Sequence, residues 1–107
     1  MTKRPTVYMM ASKRNGTNYT GVTSNLAKRV HEHRSGTFAG FTKRYDLKRL
    51  VWFEVHDRLD TAIAREKQIK NWKRSWKLEL IEKTNPGWRD LAEDLGFETL
   101  QMASPRT

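Results

Sequence analysis

The chain has 107 residues, no cysteine, and 21 Lys and Arg against 12 Asp and Glu, so its formal charge is +9 and its pI is near 10.2. The length predicts one domain, and the lack of cysteine excludes a disulfide framework and a cysteine-based zinc site. Since no run of about 18 apolar residues is present, we expect a cytoplasmic protein without a membrane span, whose basic excess favours a polyanionic partner.

The first predicted elements are the two strands of a β-hairpin. Residues 7–11 and 17–21 are β-prone runs, and they flank Asn15-Gly16. This dipeptide tolerates the positive φ angles of a tight turn, so the arrangement is typical of a hairpin. Each run carries one tyrosine, and a glycine ends the second run.

A predicted helix follows the hairpin and presents two functional groups on one face. Its first turn can be capped by Thr23, Ser24 or Asn25. Arg29 and His33 are four residues apart and therefore share a face. Together with Tyr8 and Tyr19 they provide a guanidinium, an imidazole and two phenols, a set that suits a phosphate ligand.

Residues 35–48 are predicted to form a surface loop because they are rich in Ser, Gly and Thr. We expect Phe38 and Phe41 to pack against the core, with base stacking as the alternative. Lys43 and Arg44 would then face solvent or a bound strand, and we predict that both contact nucleic acid.

The clearest predicted strand covers residues 50–55, and it is almost continuously apolar. This pattern favours a position in the middle of a small sheet. A long helix is predicted next over residues 60–72, with Asp57 or Asp60 as its N-cap.

Two shorter helical stretches are predicted towards the C-terminus. The first is capped by Ser75 and runs through Glu82 before Asn85-Pro86 stops it, and the second covers residues 88–95. We therefore assign residues 1–95 to the domain and residues 96–107 to a loosely held tail.

Glu66 is unusual because it lies within the apolar arc of the long helix. That arc consists of Ala62, Ile69, Trp72 and Trp76. A carboxylate on a buried face requires a cation or a metal ion. Metal binding is one interpretation of this position, and the other is a salt bridge with Arg65, Lys70 or Arg29.

Basic residues are dense between positions 65 and 77, where two tryptophans interrupt them. Such a run is usually a solvated helix face, but this one directly follows Glu66. We therefore predict that it borders a substrate groove, with phosphate contacts from Lys70, Lys73 and Arg74.

The order of these residues resembles the GIY-YIG nuclease superfamily. Its two name motifs correspond to Thr6-Val7-Tyr8 and Tyr19-Thr20-Gly21, and a helix with an arginine and a histidine follows, then a glutamate on a later helix. The resemblance to small stand-alone, single-domain bacterial-type members implies an α/β (α+β) fold, a small three-stranded mixed sheet flanked by helices.

The resemblance also implies roles for the site residues. Glu66 would hold one divalent ion, Mg²⁺ or Mn²⁺, and the forked guanidinium of Arg29 would bind the scissile phosphate. Tyr8 is the expected general base, which requires a lowered pKa, and Tyr19 would orient water or phosphate. His33 would relay a proton or hold Tyr19, or it is an exposed residue.

Some family members have a supporting asparagine after the glutamate. Asn71 and Asn85 are the candidates, and the sequence does not decide between them.

The function implied is a metal-dependent endonuclease acting on DNA, single-stranded or branched, without a small-molecule cofactor. One alternative is a catalytically inactive nucleic-acid-binding module with the same fold. Another is a partner-binding protein whose basic face contacts an acidic protein.

Overall fold

The structure is a computed structural model that describes residues 4–36 and 45–97. Its elements in chain order are β1 (Thr6–Ala11), β2 (Asn18–Thr23), α1 (Leu26–Ser35), β3 (Arg49–Val55), α2 (Leu59–Lys70), α3 (Arg74–Thr84) and a short 3₁₀ helix (Leu91–Leu95). The predicted α+β architecture, a three-stranded sheet flanked by helices, is confirmed.

The strand order is β2-β1-β3, and both ladders are antiparallel. The prediction of a mixed sheet was therefore wrong in this detail, as was the central position of residues 50–55. The α1 crossover does join two strands of the same direction, but β1 lies between them. All six residues of β1 are buried. Both β1 and β3 are nearly continuous apolar runs, so the sequence alone does not show which of the two is central.

Successive residues of β1 point to opposite faces of the sheet, and each face has its own core. On one face Val7, Met9 and Ala11 pack against α2, α3 and Trp88. On the other face Tyr8 and Met10 pack against α1, β3 and the 3₁₀ helix. The even-numbered face of β1 is therefore the one that carries a residue of the candidate site.

The hairpin turns at Asn15-Gly16, as predicted. Asn15 takes the left-handed conformation, with φ of 58°, and the backbone N–H of Gly16 donates to the carbonyl of Lys13 at 2.9 Å. A second backbone bond, from Ser12 to Thr17 at 3.0 Å, closes the connection between the strands. The register then pairs Tyr8 with Gly21.

Of the three cap candidates for α1, Asn25 is the N-cap. Its side chain accepts a hydrogen bond from the backbone N–H of Lys28 at 3.2 Å. Thr23 supports the same corner by accepting from the backbone N–H of Asn25 at 3.1 Å. The cap fixes the direction in which α1 leaves β2, and hence the face on which Arg29 and His33 lie.

The predicted caps of the later helices were wrong. The N-cap of α2 is Arg58, because Asp57 pairs with Arg4 and Asp60 lies inside the first turn. The N-cap of α3 is Lys73, so Ser75 is a helical residue.

The stop at Asn85-Pro86 is confirmed, although α3 runs two residues past the predicted end at Glu82 and ends at Thr84. The stretch predicted as a helix from residue 88 begins only at Leu91, because Trp88 has φ of 56° and cannot start a right-handed helix. Within the described ranges no helix is long and apolar enough to cross a lipid bilayer.

Candidate active site

Three aromatic rings from three different elements meet on the α1 face of the sheet. The ring centroids of Tyr8 and Tyr19 are 6.4 Å apart, and the ring of His33 lies 5.6 Å from Tyr8 and 5.8 Å from Tyr19. The phenol oxygen of Tyr8 is 3.0 Å from Nε2 of His33. The structure thus brings three of the predicted site residues into one cluster.

Gly21 makes room for this cluster. A Cβ atom at this position would lie 2.6 Å from the phenol oxygen of Tyr8 and 2.9 Å from a ring carbon of Tyr19. Both distances are shorter than any van der Waals contact allows, so a side chain here would push the two rings away. Glycine is required because of the close approach of the rings, not because of its backbone angles.

Burial keeps both members of the Tyr8–His33 pair uncharged. Tyr8 is fully buried, and desolvation raises its pKa well above the ordinary value, although the hydrogen bond and charge of Arg29 act in the opposite direction. His33 is 2% exposed, and burial together with the charge of Arg29 lowers its pKa to about 4. The interpretation of His33 as an exposed residue is therefore wrong.

These shifts weigh against the predicted role of Tyr8 as general base. A phenol whose pKa is raised holds its proton more firmly, whereas a base at neutral pH needs the opposite shift. Tyr19 is the partly exposed phenol of the pair. Lys70 stands over its ring, with Nζ 5.6 Å from the centroid. Tyr19 is thus the tyrosine of the pair that is open to solvent, whereas the phenol of Tyr8 is buried beside Arg29.

Arg29 lies beside this cluster at the mouth of a polar hollow of about 210 Å³. The hollow is lined by Thr23, Ser24, Asn25, Lys28, Arg29 and Glu32. Nε of Arg29 is 3.2 Å from a carboxylate oxygen of Glu32, which holds the guanidinium in place on the helix surface. A hollow with two cations, two hydroxyls and a helix start is chemically suited to a phosphate.

Glu66 is paired with Lys70. The two charged groups are 2.7 Å apart, one helical turn from each other, and the side chain of Glu66 is 13% exposed. Of the possible cationic partners, Lys70 is thus the one observed. Because Lys70 also contacts the ring of Tyr19, Glu66 reaches the aromatic cluster through this lysine.

The potential metal ligands around Glu66 fit only a weakly bound divalent ion. Among the described residues there is no group of three or more His, Cys, Asp or Glu side chains that could hold a metal ion. Glu66 offers one carboxylate, which suits a hard ion whose other ligands are water and phosphate oxygens. Its ion pair with Lys70 means that such an ion would have to compete with an ammonium group.

The other predicted nucleic-acid contacts have different surroundings. Arg74 donates from its guanidinium to the carbonyls of Asn15 and Gly16, at 2.7 and 2.9 Å, and so ties α3 to the hairpin turn. Lys73 is exposed and stands over the ring of Trp76. The predicted contacts Lys43 and Arg44, with Phe38 and Phe41, lie outside the described residues.

Of the two candidate asparagines, Asn85 is buried and structural. Its amide nitrogen donates to the carbonyls of Val51 and Arg89, at 3.0 and 2.8 Å, and its carbonyl accepts from the backbone N–H of Arg89. Asn71 is the exposed C-cap of α2. Asn85 thus supports the sheet at the β3 edge.

Sequence reasoning missed Lys28 and the cap residues as part of the site. Lys28 lines the hollow beside Arg29 because Asn25 caps the helix just before them. The sequence signal was the run Thr-Ser-Asn followed by Lys-Arg within one turn, which is a basic first turn at a capped helix start.

Residues 4–79 match the family model described as the GIY-YIG catalytic domain. A UPF0213 protein of Syntrophus aciditrophicus is 46% identical over 69 residues, which are 64% of this chain and 78% of that protein. A UPF0213 protein of Staphylococcus saprophyticus is 36% identical over 75 residues, 70% of this chain and 90% of that one.

The fold is similar to the solution NMR structure of a UPF0213 protein from Bacillus halodurans, with a TM-score of 0.53 and 24% identity. The similarity covers 84% of this chain and 95% of that chain. At this level of identity the likeness supports the fold alone.

Proposed function

The chain belongs to the GIY-YIG family, and from that premise we propose that it is a divalent-metal-dependent endonuclease that hydrolyses phosphodiester bonds of DNA, single-stranded or branched. The observation that carries the proposal is the cluster of Tyr8, Tyr19 and His33 over Gly21, with Arg29 beside it. This cluster lies within the matched residues: Tyr8 and Tyr19 are on the two strands that carry the name motifs, and His33 is on the helix that follows.

Phosphate binding is the role of the polar hollow at the start of α1. Arg29 and Lys28 provide two positive charges there, and Arg29 can form paired hydrogen bonds with two phosphate oxygens. Charge builds up on these oxygens during hydrolysis, so a fixed guanidinium stabilises the transition state more than the ground state. Glu32 orients Arg29 for this contact.

Tyr19 is the residue that orients the attacking water and, in its phenolate form, takes the proton of that water. It is the solvent-accessible phenol of the cluster, and the ammonium of Lys70 stands over its ring. Tyr8 and His33 form a neutral, hydrogen-bonded pair behind it, which fixes the ring of Tyr19 by packing. This assignment moves the general-base role expected for Tyr8 to Tyr19 and leaves Tyr8 with a structural role.

Glu66 is the residue that would hold Mg²⁺ or Mn²⁺. When bound, such an ion supplies stabilisation of negative charge on the phosphate and on the leaving oxygen. An ion bound by Glu66 would displace Lys70 from its ion pair. Because Lys70 lies over the ring of Tyr19, its ammonium group could then contact a phosphate of the substrate strand.

DNA is the proposed substrate because the chain is strongly basic and the candidate site fits a phosphodiester. The formal charge of +9 favours a polyanion, and the exposed Lys73 is placed for a phosphate contact. Lys43 and Arg44 are proposed to contribute in the same way.

The test is cleavage of labelled single-stranded, branched and duplex DNA with Mg²⁺, Mn²⁺ or EDTA. Wild type should cleave only with metal, and Glu66→Gln and Arg29→Lys should each reduce cleavage by about 100-fold or more. Glu93→Gln and Arg89→Lys are matched controls, since both residues are exposed on the far end of the chain. Equal activity of Arg29→Lys and Arg89→Lys would contradict the phosphate role.

The inactive binding module is the second candidate, and one specific observation favours it. The one carboxylate proposed to hold the metal ion, that of Glu66, is ion-paired with Lys70. Binding of the same DNAs without cleavage in either metal would select this alternative.

A further inference from the structure

Two tryptophans form a partly exposed aromatic surface where α2 ends and α3 begins. The rings of Trp72 and Trp76 meet edge to face, with centroids 6.2 Å apart and planes at 80°. Trp72 is partly buried and packs against the core, whereas Trp76 is 49% exposed. With Leu80 the two rings line an open groove of about 380 Å³.

Core packing does not explain Trp76. The residues with which α3 packs on the sheet are Ile81, Leu78 and Leu80. Exposing half of an indole ring is unfavourable, because this side chain offers one of the largest apolar surfaces of any residue. Its ring is nevertheless held in a fixed orientation by Trp72, which the core anchors.

The charges around the rings indicate the chemistry of the occupant. The guanidinium of Arg65 lies 5.4 Å from the ring centroid of Trp72, and the ammonium of Lys73 lies 5.6 Å from that of Trp76. The charge of Arg65 is already balanced by Glu54, 3.1 Å away, so the cations that face the carboxylate of Glu79 here are Lys73 and the groove residue Lys83. Flat aromatic surfaces bordered by cations fit a chain of flat bases joined by phosphates.

The groove lies on the α2–α3 side of the sheet, and Lys70 at the end of α2 links it to the candidate site. Lys70, which contacts both Glu66 and Tyr19, precedes Trp72 by two residues at the end of α2. A strand held at Tyr19 would therefore pass Lys70 and Lys73 before its next bases reach the tryptophans.

We propose that the Trp72–Trp76 groove is a base-stacking subsite for an unpaired nucleotide of the bound strand. The proposal rests on the proposed function, because it gives that function its preference for unpaired DNA. Bases of a duplex are already stacked on their neighbours, so only a flexible or frayed strand can offer a base to this groove.

The test measures binding in EDTA, so that it does not depend on cleavage. The probes are a labelled 12-mer oligothymidylate and a 12-mer of the same phosphate backbone with abasic sites. Trp76→Ala should bind oligothymidylate about tenfold more weakly than wild type, because the variant cannot stack one of the bases. Its affinity for the abasic strand should equal that of wild type. Trp76→Phe should restore most of the affinity.

Leu59→Ala is the matched control, because Leu59 is 50% exposed at the other end of α2. Its affinity for both probes should equal that of wild type. Trp52 and Trp88 are buried, so oligothymidylate should quench mainly the fluorescence of the two groove tryptophans, and the abasic strand should not.

Wild-type affinity of Trp76→Ala for oligothymidylate would overturn the proposal. So would an equal loss for both strands, or a change of oligomeric state in this variant, which would make the groove an interface between copies. Failure of the nuclease proposal is distinguishable, because it appears as intact base-dependent binding without any cleavage.

Discussion

The phenol oxygen of Tyr8 lies 3.0 Å from Nε2 of His33, and burial keeps both groups neutral at neutral pH. A neutral phenol and a neutral imidazole can form a hydrogen bond in which one group donates and the other accepts, so neither has to be charged. This bond joins β1 to α1, so it fixes the helix that carries Arg29 against the strand that carries Tyr8.

The pair gives the folded state a specific pH dependence. The pKa of His33 is about 4 in the fold and 6.5 in the ordinary case, so the unfolded chain binds the extra proton between these values. The free energy of unfolding should therefore fall as the pH decreases from about 6.5 to about 4, by at most about 3 kcal/mol, and this contribution should level off below. Urea unfolding should show a shallower decrease for His33→Gln, and an unchanged pH slope would contradict the assignment.

Removing one hydroxyl from each tyrosine should separate structure from chemistry. Tyr8→Phe leaves the buried Nε2 of His33 without its partner, so we expect a loss of about 1–3 kcal/mol in the free energy of unfolding. Tyr19→Phe should leave stability close to wild type but reduce cleavage by about 100-fold or more. Urea unfolding and single-turnover cleavage of the two variants measure this. The opposite pattern, with activity lost only in Tyr8→Phe, would return the role of general base to Tyr8.

Much of this fold could be predicted from local sequence patterns. The hairpin was located by Asn15-Gly16, the strand after the loop by its apolar run, and the end of α3 by Pro86. The position of β1 in the centre could not be predicted, because strand order depends on which edges pair and not on the apolar content of one strand. The predicted N-cap of α2 was wrong in part because Asp57 forms an ion pair with Arg4 instead of capping the helix.

The grouping of the candidate-site side chains could be predicted in part, but their electrostatics could not. The spacing of Arg29 and His33 placed them on one helix face. The burial of Tyr8, which opposes its expected role, depends on its position in the central strand and on the helix packed over it. Three nearby cations were candidate partners of Glu66; the structure selects Lys70, one turn further along α2, because Arg65 pairs with Glu54 and Arg29 pairs with Glu32.

Gly21→Ala adds one methyl group at a position where the rings of Tyr8 and Tyr19 leave no room for it. The added Cβ would lie 2.6 Å from the phenol oxygen of Tyr8, and a ring held between β1 and α1 has little room to move. We expect a loss of about 1–3 kcal/mol in stability, together with most of the cleavage activity. Gly87→Ala is the control, because a Cβ there meets nothing within 4 Å. Equal urea midpoints for the two variants would show that the ring moves aside freely.

The ion pair between Glu66 and Lys70 makes a prediction about metal affinity. An ammonium 2.7 Å from the only carboxylate assigned to the ion competes with a divalent cation for the same oxygen. Lys70→Gln should therefore bind Mn²⁺ more tightly than wild type in isothermal titration. The gain should be about threefold to fivefold, because Lys70 is half exposed and such a pair is worth at most about 1 kcal/mol. Glu66→Gln should abolish the same binding event.

Lys67→Gln is the matched control for this measurement. It removes the same charge from the same helix, at an exposed position, and so reproduces the general loss of repulsion towards a cation. The difference between Lys70→Gln and Lys67→Gln is then the effect of freeing the carboxylate. Identical affinities would mean that Lys70 does not compete at Glu66. In cleavage assays Lys70→Gln should nevertheless be slower than Lys67→Gln, because it also removes the cation over Tyr19.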